Sequence, residues 1–296
     1  MHPKKNTVVI IGAGNVGKTI GYFLQHSGRY RVTALSTRHK ATARQAAEFI
    51  GGRVKPFTDP ALAAREGRII FVTTLDKAIS ETCAYLSRAK VFSPDSLVIH
   101  CSGNFSSDIL ESARAQGARV VSFHPLQTFA RPLKSRRQFR QIYCTYEGTP
   151  SAYRQIKQLI RSLGGIPVRI KRNQKPIYHI SGIFVSNYLV SLLWDGIRML
   201  KQAGFPEQAA RKAIIPIVEN TIENIKSLGP ARALTGPIAR ADYPTIKKHI
   251  QHLKLHLPNY LPFYIILGRE TVKVALEKRS ITRGQARKLN KLLSLL

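Results

Sequence analysis

The first half of the chain alternates short apolar runs with longer amphipathic segments. Five runs have the length and composition of buried strands, at residues 7–11, 31–35, 68–74, 96–101 and 119–123. The segments between them repeat apolar residues at helical spacing, at 16–27, 41–50, 77–86 and 107–116. Strands that are apolar on both faces and separated by helices are typical of a parallel sheet covered on both sides. The pattern predicts a doubly wound α/β domain with a mainly parallel sheet.

The pattern changes after about residue 173. Two further strands (141–146 and 166–170) and a helix (151–163) complete the first domain, and a polar segment ending in Pro176 follows. Beyond it the apolar residues recur at helical spacing in long segments, at 177–203, 206–227, 245–255, 260–278 and 282–296. We therefore predict two domains, an α/β domain at 1–173 and an all-α domain at 174–296.

Composition narrows the class of protein. Hydrophobic residues make up 44% of the 296 residues, as in an ordinary globular protein. No uninterrupted apolar run approaches the roughly 18 residues that span a bilayer, and the N-terminus has no signal-peptide pattern. The three cysteines are widely spaced and form no zinc-binding motif. We expect a cytoplasmic protein with reduced cysteines, no bound metal and no membrane segment.

The formal net charge of +31 is the most unusual bulk property. Such a charge is typical of proteins that bind nucleic acids or anionic surfaces. However, lysine and arginine are scattered through the chain, and the two dense clusters, at 131–140 and 269–291, lack the interleaved aromatic residues of a base-stacking surface. Nucleic acid is therefore not the expected partner, although a basic surface would attract a phosphate-rich cofactor.

The segment after the first strand fits two phosphate-binding signatures. Gly12, Gly14 and Gly17 form the G-x-G-x-x-G turn of dinucleotide-binding domains. Gly12, Gly17, Lys18 and Thr19 also form the G-x-x-x-x-G-K-[ST] loop of nucleotide hydrolases. The first interpretation predicts a redox enzyme and the second predicts a hydrolase.

Two observations favour the dinucleotide interpretation. A hydrolase needs an aspartate at the end of an apolar strand to hold magnesium, and neither strand 68–74 nor strand 96–101 ends in one. The second strand ends in Ser36-Thr37-Arg38, where an NAD enzyme has an acidic residue. Hydroxyls and a cation suit the 2′-phosphate of NADP. The predicted cofactor-binding residues are Gly12, Gly14, Asn15, Val16, Ser36, Thr37, Arg38, Thr73, Thr74, Ser102 and Gly103, and no chemical role is expected for Lys18 and Thr19.

The first helix of the second domain carries one polar stripe. His179, Gly182, Ile183, Ser186 and Asn187 fall at i, i+3, i+4, i+7 and i+8, and so share one face. We predict that His179 and Asn187 are catalytic, with His179 as the acid that protonates a carbonyl oxygen, and that Ser186 contacts substrate. A purely structural role for these residues is the alternative.

A second polar constellation lies at residues 233–242. Gly236-Pro237 predicts a rigid turn, Arg240 could clamp a substrate carboxylate, and Asp242 could orient that arginine. The alternative is that Asp242 only caps the helix that begins near Pro244. Thr235 and Arg240, with Asp242 and with His124 of the first domain, complete the predicted substrate-binding set.

Five motifs carry a resemblance to a known family. They are the segments 12–17 (GAGNVG), 100–103 (HCSG), 124–129 (HPLQTF), 186–188 (SNY) and 234–240 (LTGPIAR). The chain resembles Rossmann-like NADP-binding proteins whose helical C-terminal domain has long been labelled as of unknown function. These belong to the larger group similar to 6-phosphogluconate dehydrogenase and ketopantoate reductase.

The resemblance implies a two-domain reductase, commonly a homodimer, with ketopantoate as one associated substrate. Ketopantoate reductases carry a lysine and asparagines on the helix where this chain has His179, Ile183 and Asn187, so Lys175, one turn upstream, is an alternative acid. We predict an NADP-dependent oxidoreductase that reduces a small keto acid, best matched by ketopantoate. The alternatives are reduction of another carbonyl or imine, an NADP sensor or nucleic-acid-associated protein, and a P-loop hydrolase.

Overall fold

The computed structural model describes residues 6–135 and 139–294. The chain divides into two compact units, one ending at Val190 and the other beginning at Ser191. The first unit therefore retains the helix that directly follows the predicted boundary at residue 173.

One sheet of eight strands forms the centre of the first unit. The strands are β1 (Thr7–Ile11), β2 (Arg31–Ser36), β3 (Lys55–Phe57), β4 (Ile69–Val72), β5 (Leu97–His100), β6 (Arg119–Pro125), β7 (Tyr143–Gly148) and β8 (Ile166–Arg169). Their order across the sheet is β3-β2-β1-β4-β5-β6-β7-β8. Neighbours are parallel except β6 and β7, which are antiparallel. The order 3-2-1-4-5-6 is that of the dinucleotide-binding fold, in which the strand order reverses between β1 and β4.

Helices cover both faces of this sheet because its strands are apolar on both sides. In β1, Val8 and Ile10 face one hydrophobic core, and Val9 and Ile11 face the other. The helices of the unit are α1 (Asn15–Gln25), α2 (Lys40–Ile50), α3 (Pro60–Ala64), α4 (Ile79–Arg88), α5 (Glu111–Arg114), α6 (Tyr153–Leu163) and α7 (Lys175–Val185). This arrangement confirms the predicted doubly wound α/β class.

Three local features depart from the sequence expectations. The strand β3 and the helix α3 were not predicted, because each is very short and contains a proline. The single helix expected at 177–203 is two helices, α7 and α8 (Asn187–Gln202). The break is at Ser186, whose φ of −120° and ψ of −70° are not helical.

The second unit is helical throughout its described residues, as predicted. After the end of α8 it contains α9 (Glu207–Leu228), α10 (Pro230–Ala233), α11 (Tyr243–His256), α12 (Leu261–Glu277) and α13 (Arg283–Leu292). Its core is formed by buried side chains of α11, α12 and α13, among them Ile246, Val272 and Leu289, which are fully buried.

The stretch that contains α7 and α8 is long and apolar enough to cross a membrane. It runs from residue 172 to 202, its mean hydropathy is 1.3 over the most apolar window, and none of that window is buried. The sequence expectation missed it because His179, Ser181 and Ser186 interrupt the apolar run. Core helices of soluble proteins meet the same criterion of length and composition.

Candidate active site

A cavity opens at the point where the strand order of the sheet reverses. Parallel strands place their carboxyl ends at one edge, and ligands of this fold class bind outside that edge at the reversal point. Here the cavity has a volume of about 590 Å³. Its lining is contributed by the residues after β1, β2, β3 and β4, namely Ile11, Gly12, Ala13, Gly14, Ser36, Thr37, Arg38, His39, Thr42, Thr58, Pro60, Thr73, Thr74, Leu75, Lys77, Ala78 and Thr82.

The glycine turn is the tightest part of this cavity. Gly12 has a φ of +90°, and a Cβ atom there would lie 2.8 Å from the Thr74 backbone nitrogen. A Cβ at Gly17 would lie 2.6 Å from Thr73 Oγ1. A Cβ at Gly14 would meet nothing within 4 Å, so the space above this glycine is open. Two glycines therefore let the turn pack on β4, and the third leaves room for a ligand.

The cavity wall after β2 is rich in hydroxyls and cations. Ser36, Thr37 and Arg38 line it, followed by His39 and Thr42, and Thr58 after β3 and Lys77 after β4 add a further hydroxyl and cation to the cavity. Sequence reasoning missed these last four residues. Among the lining residues, all within the described part of the chain, there is no aspartate or glutamate. The missed residues carry no motif, because they come from separate helices and loops that only the fold brings together.

One polar atom of this cavity is unsatisfied. Thr74 Oγ1 is buried and has no hydrogen-bond partner among the described residues. By contrast, the Thr73 hydroxyl donates to the Gly12 carbonyl oxygen at 2.7 Å and so supports the turn. A buried hydroxyl without a partner is costly, and a bound ligand would remove that cost.

Four predicted cofactor-binding residues, Asn15, Val16, Ser102 and Gly103, lie outside the lining of this cavity. The Asn15 side-chain amide donates to the Phe129 carbonyl oxygen at 2.8 Å. The Thr19 hydroxyl donates to the Asn15 carbonyl oxygen and accepts from the Leu133 backbone N–H at 2.9 Å. The helix after the glycine turn is therefore hydrogen-bonded to the loop that follows β6. The Thr19 hydroxyl already has two partners inside the protein, so it is not available to bind a metal ion.

A second cavity, of about 410 Å³, lies in the same unit. It is lined by His124 near the end of β6, by Leu126, Gln127 and Thr128 after that strand, by His179, Gly182, Ile183 and Val185 of α7, and by Ser186 and Asn187 where α7 gives way to α8. All five residues of the predicted polar stripe are in this lining. The structure thus brings His179, Ser186 and Asn187 together with His124. The sequence predicted His124 for the same site but offered no contact between it and the other three residues.

His124 and His179 meet over Gly103. Their ring centroids are 6.3 Å apart in an edge-to-face arrangement. A Cβ at Gly103 would lie 2.7 Å from His179 Cδ2 and 2.9 Å from His124 Nε2, so only glycine leaves room for both rings. On its other side, His124 Nδ1 lies 2.8 Å from the Tyr178 hydroxyl.

Lys175, the first residue of α7, is buried beneath this pair. It is only 1% exposed, and its Nζ donates to the Ser102 carbonyl oxygen at 2.9 Å and to the Ser122 hydroxyl. Burial lowers the pKa of Lys175 to about 8, although the carboxylate of Glu147 acts in the opposite direction. The amine therefore joins the start of α7 to the ends of β5 and β6 and lies outside the cavity lining.

His100, at the end of β5, has a fixed protonation state. Its Nδ1 accepts from the Ser102 backbone N–H at 3.2 Å, so its Nε2 must carry the proton donated to the Ser106 carbonyl oxygen at 3.1 Å. Burial and the positive charge of Lys175 lower the pKa of His100 to about 3. His100 is thus a neutral histidine that shapes the loop after β5.

Ser102 connects the two cavities. Its hydroxyl donates to Asp76 Oδ2 at 2.7 Å, and Asp76 precedes Lys77 in the lining of the first cavity. Gly103, the next residue, contacts the two histidines of the second. Since the Ser102 side chain is 4% exposed and already bonded, it holds the ends of β4 and β5 together.

The remaining predicted residues lie in the second unit. Thr235 and Arg240 are exposed there. The Asp242 carboxylate accepts from the Thr245 backbone N–H at 3.2 Å and from the Thr245 hydroxyl at 2.8 Å, which lowers its pKa. Asp242 therefore caps α11, as in the structural alternative given above.

Two family profiles match the chain and leave a short gap between them. A Rossmann-like domain matches residues 1–125, and a domain of unknown function, DUF2520, matches residues 142–271. No curated protein matches. The second profile begins at the end of the Rossmann sheet and continues through most of the helical unit.

Solved structures share the fold at low sequence identity. A candidate NADP oxidoreductase from Bacteroides fragilis is 22% identical, with a TM-score of 0.73, over 90% of this chain and 98% of its own. Protein TM1727 from Thermotoga maritima is 22% identical, with a TM-score of 0.70, over 92% and 99%. An imine reductase from Pseudomonas sp. is 18% identical, with a TM-score of 0.58, over 97% and 92%. The chain therefore combines a match to a Rossmann-like domain with a match to DUF2520, each over less than half of its length.

Proposed function

We propose that this protein is an NADPH-dependent reductase of a small carbonyl or imine compound. The observation that carries the proposal is the cavity where the strand order reverses, whose wall after β2 offers Ser36, Thr37 and Arg38 and no carboxylate among its lining residues. An acidic residue there would repel a 2′-phosphate, whereas hydroxyls and a guanidinium bind one. The similar proteins described as an NADP oxidoreductase and an imine reductase support the same class.

The residues of the first cavity fit such a cofactor. Gly14 leaves open space beside the start of α1, where backbone N–H groups and the helix dipole favour a diphosphate. Arg38 and Lys77 supply positive charge, and the unsatisfied Thr74 hydroxyl offers a polar contact. When bound, NADPH supplies a hydride from its nicotinamide ring.

The second cavity supplies the groups that bind and protonate the substrate. We propose that His179 donates the proton that the substrate oxygen or nitrogen takes up, and that Asn187 orients the substrate through its amide. Lys175, the alternative acid, is 1% exposed and bonded to Ser102 and Ser122, so we assign it to holding α7 in place.

Within this class we propose ketopantoate as the first substrate to test, because the sequence motifs resemble those of its reductases. A second candidate is an uncharged carbonyl or imine. This candidate is favoured by the second cavity, whose lining residues include no lysine, arginine, aspartate or glutamate to pair with a charged substrate.

The test is NADPH oxidation against a panel of keto acids, uncharged ketones and cyclic imines, with ketopantoate first. We expect turnover of at least one compound, and we expect His179→Ala and Asn187→Ala each to lower kcat by about 100-fold. Leu126→Ala, an apolar change in the same lining, serves as a matched control and should alter mainly KM.

Retained turnover in both the His179 and Asn187 variants would show that the catalytic assignment is wrong. Magnesium-dependent hydrolysis of nucleoside triphosphates, without any response to NADPH, would instead support the P-loop alternative. Salt-sensitive nucleic-acid affinity without reductase activity would support a binding protein.

A further inference from the structure

The tyrosine beside the paired histidines needs an acceptor for its proton. Burial raises the pKa of Tyr178, and a hydrogen bond with Thr145 acts in the opposite direction, as a bond donated by the Thr145 hydroxyl does, so Thr145 is a donor here and not the acceptor. The Tyr178 hydroxyl lies 2.8 Å from His124 Nδ1 and 3.4 Å from the His124 carbonyl oxygen. Bonds between two oxygens are normally 2.5–3.0 Å long, so the carbonyl is the poorer acceptor. That carbonyl also receives the Thr145 hydroxyl at 3.4 Å. The Tyr178 proton is therefore directed to Nδ1.

His124 carries one ring proton, and its hydrogen bond with Tyr178 determines which ring nitrogen holds that proton. Burial, the charge of Lys175 and the neighbouring His179 lower the pKa of His124 to about 3, so the ring is neutral at pH 7. A neutral imidazole has one N–H, and the nitrogen that accepts from Tyr178 cannot carry it. The proton is then on Nε2.

The Nε2 edge of His124 faces space that only glycine provides. A Cβ at Gly103 would lie 2.9 Å from Nε2, and any larger residue would cover this edge. His124 lines the second cavity together with His179 and Asn187. An N–H at this position can donate to a ligand atom in that cavity.

We propose that Tyr178 is a positioning residue that fixes His124 as a neutral donor of one Nε2–H hydrogen bond to the reacting atom of the substrate. This inference rests on the proposed reductase function and narrows its substrate. A donor selects a hydrogen-bond acceptor, such as a carbonyl oxygen or a neutral imine nitrogen, and disfavours a protonated iminium.

The balance of the reaction explains why a donor is useful there. In carbonyl reduction, carbon receives two electrons and one hydrogen from NADPH, which becomes NADP⁺, the C=O π bond opens, and oxygen receives one proton. The oxygen gains negative charge before that proton arrives, and a fixed N–H bonds more strongly to the charged form. His124 keeps its own proton throughout, while His179 delivers the transferred one.

The test begins with the proton positions, which need neither substrate nor cofactor. Long-range ¹⁵N–¹H spectra of the full-length, ¹⁵N-histidine-labelled protein at pH 7 distinguish the two neutral tautomers from the cation. We expect the Nε2–H tautomer for His124, identified by its loss in His124→Gln. His100 is an internal reference, because a backbone N–H fixes its tautomer. We expect Tyr178→Phe to shift His124 towards a mixture, and Tyr143→Phe, which removes an exposed hydroxyl on β7, to change nothing.

Kinetics then connect the tautomer to catalysis. Tyr178→Phe should lower kcat at least about tenfold without changing NADPH affinity or the melting temperature, and His124→Ala should lower kcat by about 100-fold. An Nδ1–H tautomer or a cation in the wild type, or an unchanged His124 signal in Tyr178→Phe, would overturn the inference. Unchanged kcat in Tyr178→Phe would also overturn it. If no substrate is reduced but the tautomer responds as expected, the proposed function fails and the assignment of the proton stands.

Discussion

Gly14 and Gly17 belong to the same turn but have different physical reasons to be glycine. Gly17 packs against Thr73 and the Gly12 carbonyl oxygen, where an added Cβ would lie within 2.7 Å of both. Gly14 has a φ of −73°, which any residue can adopt, and open space beside it. Stability should therefore depend on Gly17, and ligand binding on Gly14.

This difference predicts opposite effects of two alanine substitutions. Gly17→Ala should destabilise the fold by about 1–3 kcal/mol, because backbone must move to accept the methyl group. Gly14→Ala should keep the wild-type melting temperature and weaken NADPH binding at least about tenfold, since a methyl group occupies the space left for the diphosphate. Thermal unfolding and NADPH titration measure both. Wild-type affinity in Gly14→Ala would contradict the location of the diphosphate.

The two neutral histidines predict loss of stability in mild acid. The pKa of His100 and of His124 is about 3 in the folded protein and about 6.5 when unfolded, so the unfolded chain takes up the protons first as the pH falls below 6.5. Between pH 6.5 and pH 5 each histidine should cost about 2 kcal/mol of unfolding free energy.

Urea unfolding at pH 7 and pH 5 checks this value. In His100→Asn the unfolding free energy should differ less between pH 7 and pH 5 than in the wild type, by roughly the contribution of one histidine. His252→Gln, at an exposed position of α11, should retain the wild-type difference. The same difference in His100→Asn as in the wild type would show that this histidine is already charged or not buried.

At the scale of elements, α1 and the loop after β6 are coupled by hydrogen bonds. The Thr19 hydroxyl accepts from the Leu133 N–H, and the Asn15 amide donates to the Phe129 carbonyl oxygen. The same loop begins with Leu126, Gln127 and Thr128, which line the second cavity. The helix that starts at the glycine turn therefore fixes a wall of the site where substrate is proposed to bind.

Thr19→Val should increase the mobility of the loop after β6 without unfolding the protein. The substitution keeps the shape of the side chain but leaves the buried Leu133 N–H without its partner, which costs about 1–3 kcal/mol. Amide hydrogen exchange should rise in the 126–133 segment and stay unchanged in β1, while Thr19→Ser should behave as the wild type. Unchanged exchange in Thr19→Val would mean that other contacts hold the loop.

The sequence predicted elements wherever local pattern alone decides structure. Strand β1 was predicted over its full extent, because both of its faces are buried and every residue is apolar or β-branched. Strand β3 was missed because it is a three-residue edge strand with a proline and two exposed residues, so burial leaves no pattern in it.

The residues of the site also divide into those that a local pattern predicts and those that only tertiary packing brings together. Helical spacing predicts that His179, Ser186 and Asn187 lie together, and the second cavity does bring them together, although Ser186 is not helical and Asn187 begins α8. Lys175 looked like a residue of a polar linker, and its burial comes from Ser102 and Ser122, which are distant in sequence. Likewise, no local pattern could place Tyr178 against His124, since only the packing of α7 on β6 does so.

At the scale of the whole molecule, many large apolar side chains are left exposed on the helices. They include Ile177, Phe184, Val185, Val190, Trp194, Ile217 and Phe263, each more than half exposed. Large apolar side chains exposed in such number are typical of proteins that bury them against a partner. We propose that a second copy of the chain covers them, as the predicted homodimer requires.

Light scattering of the purified protein should then give twice the monomer mass. Ile217→Asp should shift the protein towards the monomer, while Leu62→Asp, which adds the same charge at an exposed leucine of α3, should not. A monomeric wild type would contradict the proposal. Partitioning into detergent or membrane fractions would instead indicate that lipid covers the apolar stretch at 172–202.

We propose that the cavity at the reversal of strand order binds NADPH through its 2′-phosphate. The most direct measurement is a fluorescence titration of the full chain with NADPH and with NADH. We predict that NADPH binds at least about tenfold more tightly than NADH, and that Arg38→Gln removes this preference while leaving NADH affinity unchanged. Equal affinity for the two cofactors in the wild type, or binding of neither, would contradict the account.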